Sequence, residues 1–387
     1  MKKKNLRTST KIVQAGMNTK INFSVPNVPV FNASTVLHEN IEQYRENKEN
    51  SYARYGTPTS DALINAISSL YNSDGAVLSS SGLSSCMLAI LTFAKSDDHI
   101  LVTDSVYGST REFIKNILPR YKINYEFFDP KINSKDIKKL FKTNTKLIYL
   151  ESPGSLTFEI QDIAGITKAA KIKNITVITD NSWATALGMN CFDLGVDVVI
   201  ESLTKYTSGH SDLIMGCIIS NGNFLKKIKK TSKLFGQRSG SNDIFLALRG
   251  LKTVELRLQK SFSSSLEVAE WLSNQSEVEK VLHPARDDHP ENYIYKCNYK
   301  MGSGLFAFIL KTRDLRLSDK FINNLNLFGI GASWGGYESL VSYSNIDKIR
   351  SFNYYQNKVI IRLAIGLEDP KDLIDDLNNA FIQMNRN

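Results

Sequence analysis

The sequence predicts an α/β protein built on a mostly parallel sheet, with a smaller α+β C-terminal domain and an extended N-terminal arm. Three observations carry this expectation. From residue 60 to about 220, short runs rich in Val, Ile and Tyr alternate with segments of helical periodicity. Those runs are almost continuously apolar, as strands covered on both faces must be. Charged residues recur where the runs end, which is where parallel sheets collect their ligands.

The first 55 residues show no clear period, and "INFSVPNVPVFNAST" (21–35) contains two prolines, so this region is expected to be the arm. Residues 56–245 are expected to form the α/β domain. Its strands are "HILVTD" (99–104), "INYEFFD" (123–129), "KLIYLES" (146–152), "ITVITDN" (175–181), "VDVVIES" (196–202) and "MGCIIS" (215–220). The segment "DIAGITKAAKIKN" (162–174) has the spacing of an intervening helix. Residues 246–387 are expected to form the C-terminal domain. A long amphipathic stretch starts near residue 245, followed by "GLFAFIL" (304–310), the Gly-rich "GIGASWGGYESL" (329–340) and "KVIIRLAIGLED" (358–369).

Composition narrows the class of function. The chain has 387 residues, enough for roughly two or three domains. Apolar residues make up 42% and charged residues 22%, ordinary for a soluble globular protein. The net charge of +9 comes from dispersed lysines without interleaved aromatics, which argues against a nucleic-acid surface. Cys86, Cys191, Cys217 and Cys297 are far apart and lack metal-ligand spacing, so buried reduced thiols and no metal are expected. Lys2, Lys3 and Lys4 are followed by polar residues rather than an apolar signal segment, and no apolar run approaches the roughly 20 residues of a membrane span. The expected compartment is the cytoplasm, with no membrane partner.

Candidate chemistry gathers at strand ends. Asp104, Glu151, Asp180 and Lys205 all lie at or just past one. Asp180 and Lys205 follow successive strands, so a carboxylate and an amine would face one site if those strands are neighbours; taken alone, such an aspartate reads rather as a helix cap or the partner of a surface lysine. In "SSSGLSSCMLAIL" (79–91), Gly82 and Leu83 open a helical pattern, and their N–H groups would face an anion. Ser202 and Thr204 would present their hydroxyls on one face if extended. Two hydroxyls, an amide nest and a lysine suit a phosphorylated aldehyde cofactor, pyridoxal 5'-phosphate, with Lys205 as its Schiff base. A carboxylate such as Asp180 would keep the pyridine nitrogen protonated. Tyr107 would stack on the ring or serve as a core or turn tyrosine. Arg362 lies inside an apolar strand and needs a partner, either a substrate carboxylate or a structural ion pair.

These residues carry a resemblance that runs nearly end to end. The stretches are "YARYGTPT" (52–59), "SSGLSS" (80–85), "YGST" (107–110), "ESPGSLTFEIQDI" (151–163), "TDNSWAT" (179–185), "ESLTKYTSGHSD" (201–212), "SWGGYESL" (333–340) and "IRLAIGLED" (361–369). The sequence resembles the cysteine/methionine-metabolism family of pyridoxal-phosphate enzymes, the cystathionine synthases and lyases. Within it, "ESPGSLTFE" and "SWGGYESL" are similar to the bacterial cystathionine β-lyase branch.

The resemblance implies a fold type I enzyme, a carbon–sulfur lyase cleaving L-cystathionine to homocysteine, pyruvate and ammonia in methionine biosynthesis. Family alternatives are a cystathionine γ-synthase or γ-lyase and a cysteine desulfhydrase, and alanine racemisation is an easy side reaction. It implies that Lys205 holds the cofactor, Asp180 partners the ring nitrogen, Tyr107 stacks, and Gly82, Leu83, Ser202 and Thr204 bind phosphate. Tyr52 and Arg54 would reach the phosphate of a neighbouring subunit in a tetramer built as a dimer of dimers. Arg362, with Ser333 and Trp334, would hold the substrate carboxylate, and Glu112 its distal ammonium. His210 is expected only to support the Lys205 loop. "SGL" stands where many relatives have "SGM", a change without consequence if only the backbone N–H is used.

Overall fold

The computed structural model describes residues 6–17, 22–46 and 51–386; the lysines at 2–4 lie outside them. The strands are β1 (Gly75–Ser79), β2 (His99–Thr103), β3 (Asn124–Phe128), β4 (Thr145–Glu151), β5 (Thr176–Asp180), β6 (Val198–Glu201), β7 (Gly216–Ser220), β8 (Val278–Leu282), β9 (Leu305–Leu310), β10 (Gly329–Ile330), β11 (Leu340–Ser344) and β12 (Ile360–Ala364). Described residues up to Thr92 form one compact unit with Asp197–Glu255. Phe93–Val196 form a second with those from Leu256 onward.

In the first unit the strand order is β1-β7-β6, and both pairs are antiparallel. β1 is a strand that the sequence reading did not single out, although all of its residues are buried. β7 departs from the expected strand–helix alternation. Residues 202–215 form a helix-free loop, and without a crossover helix a returning strand pairs antiparallel. The helix Pro58–Tyr71 starts at a reciprocal cap: the Ser60 N–H donates to Thr57 Oγ1 at 3.3 Å, and the Thr57 N–H to Ser60 Oγ at 2.8 Å. Pro58 at its first turn has no N–H to leave unsatisfied.

The arm is less uniformly extended than expected, because Thr8–Val13 and Ile41–Glu46 are short helices. Between them the described residues are mostly irregular, and side chains tie them down. Thr59 Oγ1 donates to the Pro29 carbonyl at 2.8 Å and accepts from the Phe31 N–H at 2.9 Å, while Ser241 Oγ donates to the Phe31 carbonyl at 2.7 Å.

The second unit holds the parallel run β5-β4-β2-β3. Each of its strands lies within a residue or two of the expected segment, and Ile163–Lys171 is the expected helix. The same unit contains a smaller sheet of order β10-β11-β12-β9-β8. Its core joins Phe306 and Phe308 of β9 and Leu363 of β12 to Phe321, Leu377 and Phe381 from the helices Leu315–Asn323 and Pro370–Asn385. The Phe321 and Phe381 ring centroids are 4.5 Å apart. The long amphipathic stretch is two helices, Ser241–Leu251 and Val254–Ser273. The first closes through i→i−3 bonds from the N–H groups of Lys252 and Thr253, at 3.3 and 3.1 Å. No helix among the described residues is long and apolar enough to cross a membrane.

Candidate active site

In the first unit, the helix Gly82–Phe93 begins beside the loop that carries Lys205. Ser81 caps it, its Oγ accepting from the Ser84 N–H at 3.0 Å and its carbonyl from the Ser85 N–H at 3.1 Å. The Gly82 and Leu83 N–H groups, in the first turn, have no intrahelical acceptor and point out of the helix end. A Cβ on Gly82 would stand 2.7 Å from Ser202 Oγ. Only glycine leaves room for the Ser202 hydroxyl at this mouth.

Residues 203–208 form a turn rather than the extended segment expected, with the Lys205 N–H bonded to the Ser202 carbonyl at 3.1 Å. The Thr204 hydroxyl donates to the Met215 carbonyl at 3.1 Å and accepts from the Met215 N–H at 3.0 Å. Its proton is therefore committed to the loop, while Ser202 faces the helix mouth. The buried Glu201 carboxylate accepts from the hydroxyls of Tyr71 and Thr207, so both limbs of the turn are held. Lys205 itself is half-buried. His210 donates Nδ1–H to the Ser208 carbonyl at 2.6 Å, a loop-supporting contact. Tyr52 is 44% exposed. The Arg54 guanidinium lies 5.5 Å from its ring centroid and 4.8 Å from that of Tyr55.

In the second unit, adjacent parallel strands place Glu151 and Asp180 in register. Asp180 Oδ1 accepts from the Ser182 N–H at 2.9 Å. Glu151 Oε2 accepts from the Tyr107 N–H at 2.7 Å, which fixes the start of the helix Gly108–Asn116 and leaves Tyr107 47% exposed. The sequence alone marks Glu151 only as a strand-end carboxylate. The sequence places it at the end of β4, but its bond to Tyr107 depends on how the following loop returns. Asp104 is fully buried, ion-paired with Arg111, and accepts from the Phe352 N–H at 2.8 Å. It anchors a loop.

Burial, and next the Asp180 carboxylate, push the Glu151 carboxyl well above the usual glutamate range, against the smaller opposing effects of the Tyr107 N–H and Arg350. A carboxyl whose pKa is higher folded than unfolded binds a proton on folding between the two values, so its contribution to stability is lost as pH rises through that window. Glu151→Gln keeps an acceptor for Tyr107 and removes the titration. It is expected to raise the unfolding free energy by on the order of 1 kcal/mol at pH 8 and to change it little at pH 4. Denaturant melts at the two pH values check this.

Arg362 is half-buried on β12. Its Nη2 donates to the carbonyls of Ala332 at 2.7 Å, Ser333 at 3.2 Å and Gly331 at 3.4 Å. Its buried Nε has no hydrogen-bond partner, and it forms no ion pair with a carboxylate among the described residues. Burial lowers its pKa, and Tyr107 is near enough to offset this in part. Ser333 and Trp334 lie in the loop that supplies those carbonyls. Glu112 is exposed on the helix that follows Tyr107, and its Oε2 accepts from Asn116 Nδ2 at 2.8 Å.

The model of the Cys/Met metabolism PLP-dependent enzyme family matches residues 9–382. The chain belongs to this family. It is 38% identical over 360 residues to a protein of Rhizobium johnstonii named putative cystathionine beta-lyase, covering 92% of this chain and 91% of the relative. It is also 38% identical over 400 residues to the L-alanine/L-glutamate racemase of Wolbachia pipientis, covering 96% of each. The crystal structure of metB from Corynebacterium glutamicum superposes with a TM-score of 0.90 at 26% identity, over 98% of both chains. This family member is therefore a pyridoxal-phosphate-dependent enzyme of fold type I.

The residues present fit that cofactor. The helix mouth at Gly82 and Leu83 presents first-turn N–H groups that have no intrahelical acceptor beside Ser202, in a space that any side chain at position 82 would fill.

Proposed function

We propose that the enzyme catalyses β-elimination from L-cystathionine, releasing homocysteine, pyruvate and ammonia. The observation that carries this reading is Arg362, a half-buried guanidinium steadied by backbone carbonyls and lacking a protein carboxylate among the described residues. It suits the α-carboxylate of an amino acid, which a planar guanidinium binds through two parallel hydrogen bonds. Arg362 sits beside the "SWGGY" loop, whose Ser333 and Trp334 line the same pocket in this proposal.

Gly82, Leu83 and Ser202 would hold the cofactor phosphate, with Thr204 bracing the loop, Asp180 the ring nitrogen, Tyr107 a ring face and Lys205 the aldehyde carbon. When bound, pyridoxal phosphate supplies an electron sink for charge developing at the substrate Cα. The Lys205 amine, once free, would take the proton from Cα. Sulfur then leaves Cβ with the bonding electrons as thiol or thiolate, and water completes pyruvate and ammonia. Glu112 would meet the distal ammonium of cystathionine. The exposed Tyr52 and half-buried Arg54 would reach a neighbour's phosphate, so a homotetramer acting in the cytoplasm completes the proposal.

The 38% identity to a protein named as a racemase favours a second reading, in which the Cα proton is returned to the opposite face. One assay separates the readings. With cystathionine, pyruvate and homocysteine are expected; 2-oxobutyrate would instead indicate γ-elimination. D-Alanine formed from L-alanine faster than pyruvate from cystathionine would overturn the lyase reading in favour of the racemase.

A further inference from the structure

Arg362 is oriented by a loop, and that loop is fastened to the strand that carries Arg362. Residues 331–339 connect β10 to β11, and β11 pairs with β12 so that Ser342 faces Arg362. At one end the loop is held by the Arg362 Nη2 bonds to its carbonyls. At the other end is Ser339, fully buried. Its N–H donates to Glu368 Oε1 and its hydroxyl to Glu368 Oε2, both at 2.8 Å. The Ser339 hydroxyl also accepts from the Gly366 N–H at 2.9 Å, and the Leu367 N–H donates to the Tyr337 carbonyl at 2.8 Å. A Cβ on Gly366 would lie 2.2 Å from the Tyr337 carbonyl oxygen, so this approach requires glycine.

We infer that Glu368 is a positioning residue for substrate-carboxylate recognition, acting through Ser339 and the 331–339 loop to aim the Arg362 guanidinium. The circuit closes on itself: β12 presents Arg362, the loop carbonyls fix one nitrogen of its plane, and the residues following β12 clamp the far end of the same loop. A guanidinium must present two nitrogens in plane to a carboxylate, and a loop free at one end would not keep its carbonyls still. Glu368 is well suited as the clamp because a single carboxylate takes both donors of one buried serine.

This inference rests on Arg362 as the holder of the substrate carboxylate, and the test separates the two claims. Holoenzyme is titrated with 2-aminoisobutyrate, an amino acid without a Cα proton, and with isopropylamine, which lacks the carboxylate. Binding is followed by the absorbance of the cofactor. Glu368→Ala is expected to weaken 2-aminoisobutyrate about tenfold and to leave isopropylamine within about twofold; KM for the reacting substrate should rise by a similar factor with kcat nearly unchanged. Ser339→Ala should act in the same direction, and the double variant should be no weaker than the weaker single, since both break one circuit. Should Glu368→Ala lose the cofactor, Ser339→Ala decides in the same way. Unchanged 2-aminoisobutyrate binding, or equal weakening of both ligands, would overturn the inference. Arg362→Ala is the reference: if it leaves 2-aminoisobutyrate binding intact, the reading of Arg362 fails and this inference with it. If Arg362→Ala abolishes binding and Glu368→Ala does not change it, only the role of Glu368 is lost.

Discussion

Lys205→Ala is expected to lower kcat by about 10^3-fold or more while leaving the fold intact. The expected size reflects two lost roles, since the amine is both the proposed covalent anchor and the base at Cα. The fold should survive because other side chains brace the turn. Glu201 holds Tyr71 and Thr207, and Thr204 bonds twice to Met215. Three measurements check this together: turnover, the visible absorbance of the purified protein, and its thermal unfolding. Loss of turnover with an unchanged melting temperature is the expected outcome, and a small added amine should restore part of the activity. A variant that still turns over near the wild-type rate would remove Lys205 from the chemistry.

Arg362→Ala is expected to lower kcat/KM by roughly 10^2-fold or more, the size associated with losing one partner of a desolvated, charge-assisted pair, about 2–5 kcal/mol. Arg362→Lys should recover little, because an ammonium lacks the planar fork that meets two carboxylate oxygens. Most of the loss is expected in KM for the amino-acid substrate, and a substrate amide that lacks the carboxylate charge should discriminate much less between variant and wild type. Equal kcat/KM in variant and wild type would assign Arg362 to the loop carbonyls alone.

Local pattern was enough for the strands of the second unit. "HILVTD" and "KLIYLES" carry unbroken apolar stretches at their centres because β2 and β4 are interior to a parallel run, and this is visible without any partner strand. β1 is not legible because "GAVLS" is short and merges into a serine run that has the pattern of a helix start. β7 was found as a strand, but its antiparallel direction depends on a helix-free connection, and direction leaves no periodic trace. The arm's short helices at Thr8–Val13 and Ile41–Glu46 were likewise hidden, being too brief to show a period.

For the site, residue type at strand ends points to Lys205 and Asp180, a lone arginine inside an apolar strand points to Arg362, and "SSSGLSS" indicates an anion-facing helix start. The expectation for Thr204 shows where such reading stops. Alternation suggested that its hydroxyl would share a face with that of Ser202, yet the chain turns there and Met215, from the far end of the loop, takes the proton. Glu151 meeting Tyr107 and Glu368 meeting Ser339 are of the same kind, each joining residues far apart in sequence.

The amino-acid sequence by itself determined most of the strands of the larger sheet, which residue types stand at their ends and to which enzyme family the chain belongs, because burial period, strand-end chemistry and motif spacing are local properties. Only the tertiary structure decided which donors remain open. The hydroxyl of Thr204 is committed, the Nε of Arg362 is not, and Ser339 is clamped by Glu368. Hydrogen-bond satisfaction is settled by whichever group the folded chain brings within about 3 Å, and sequence distance carries no information about that.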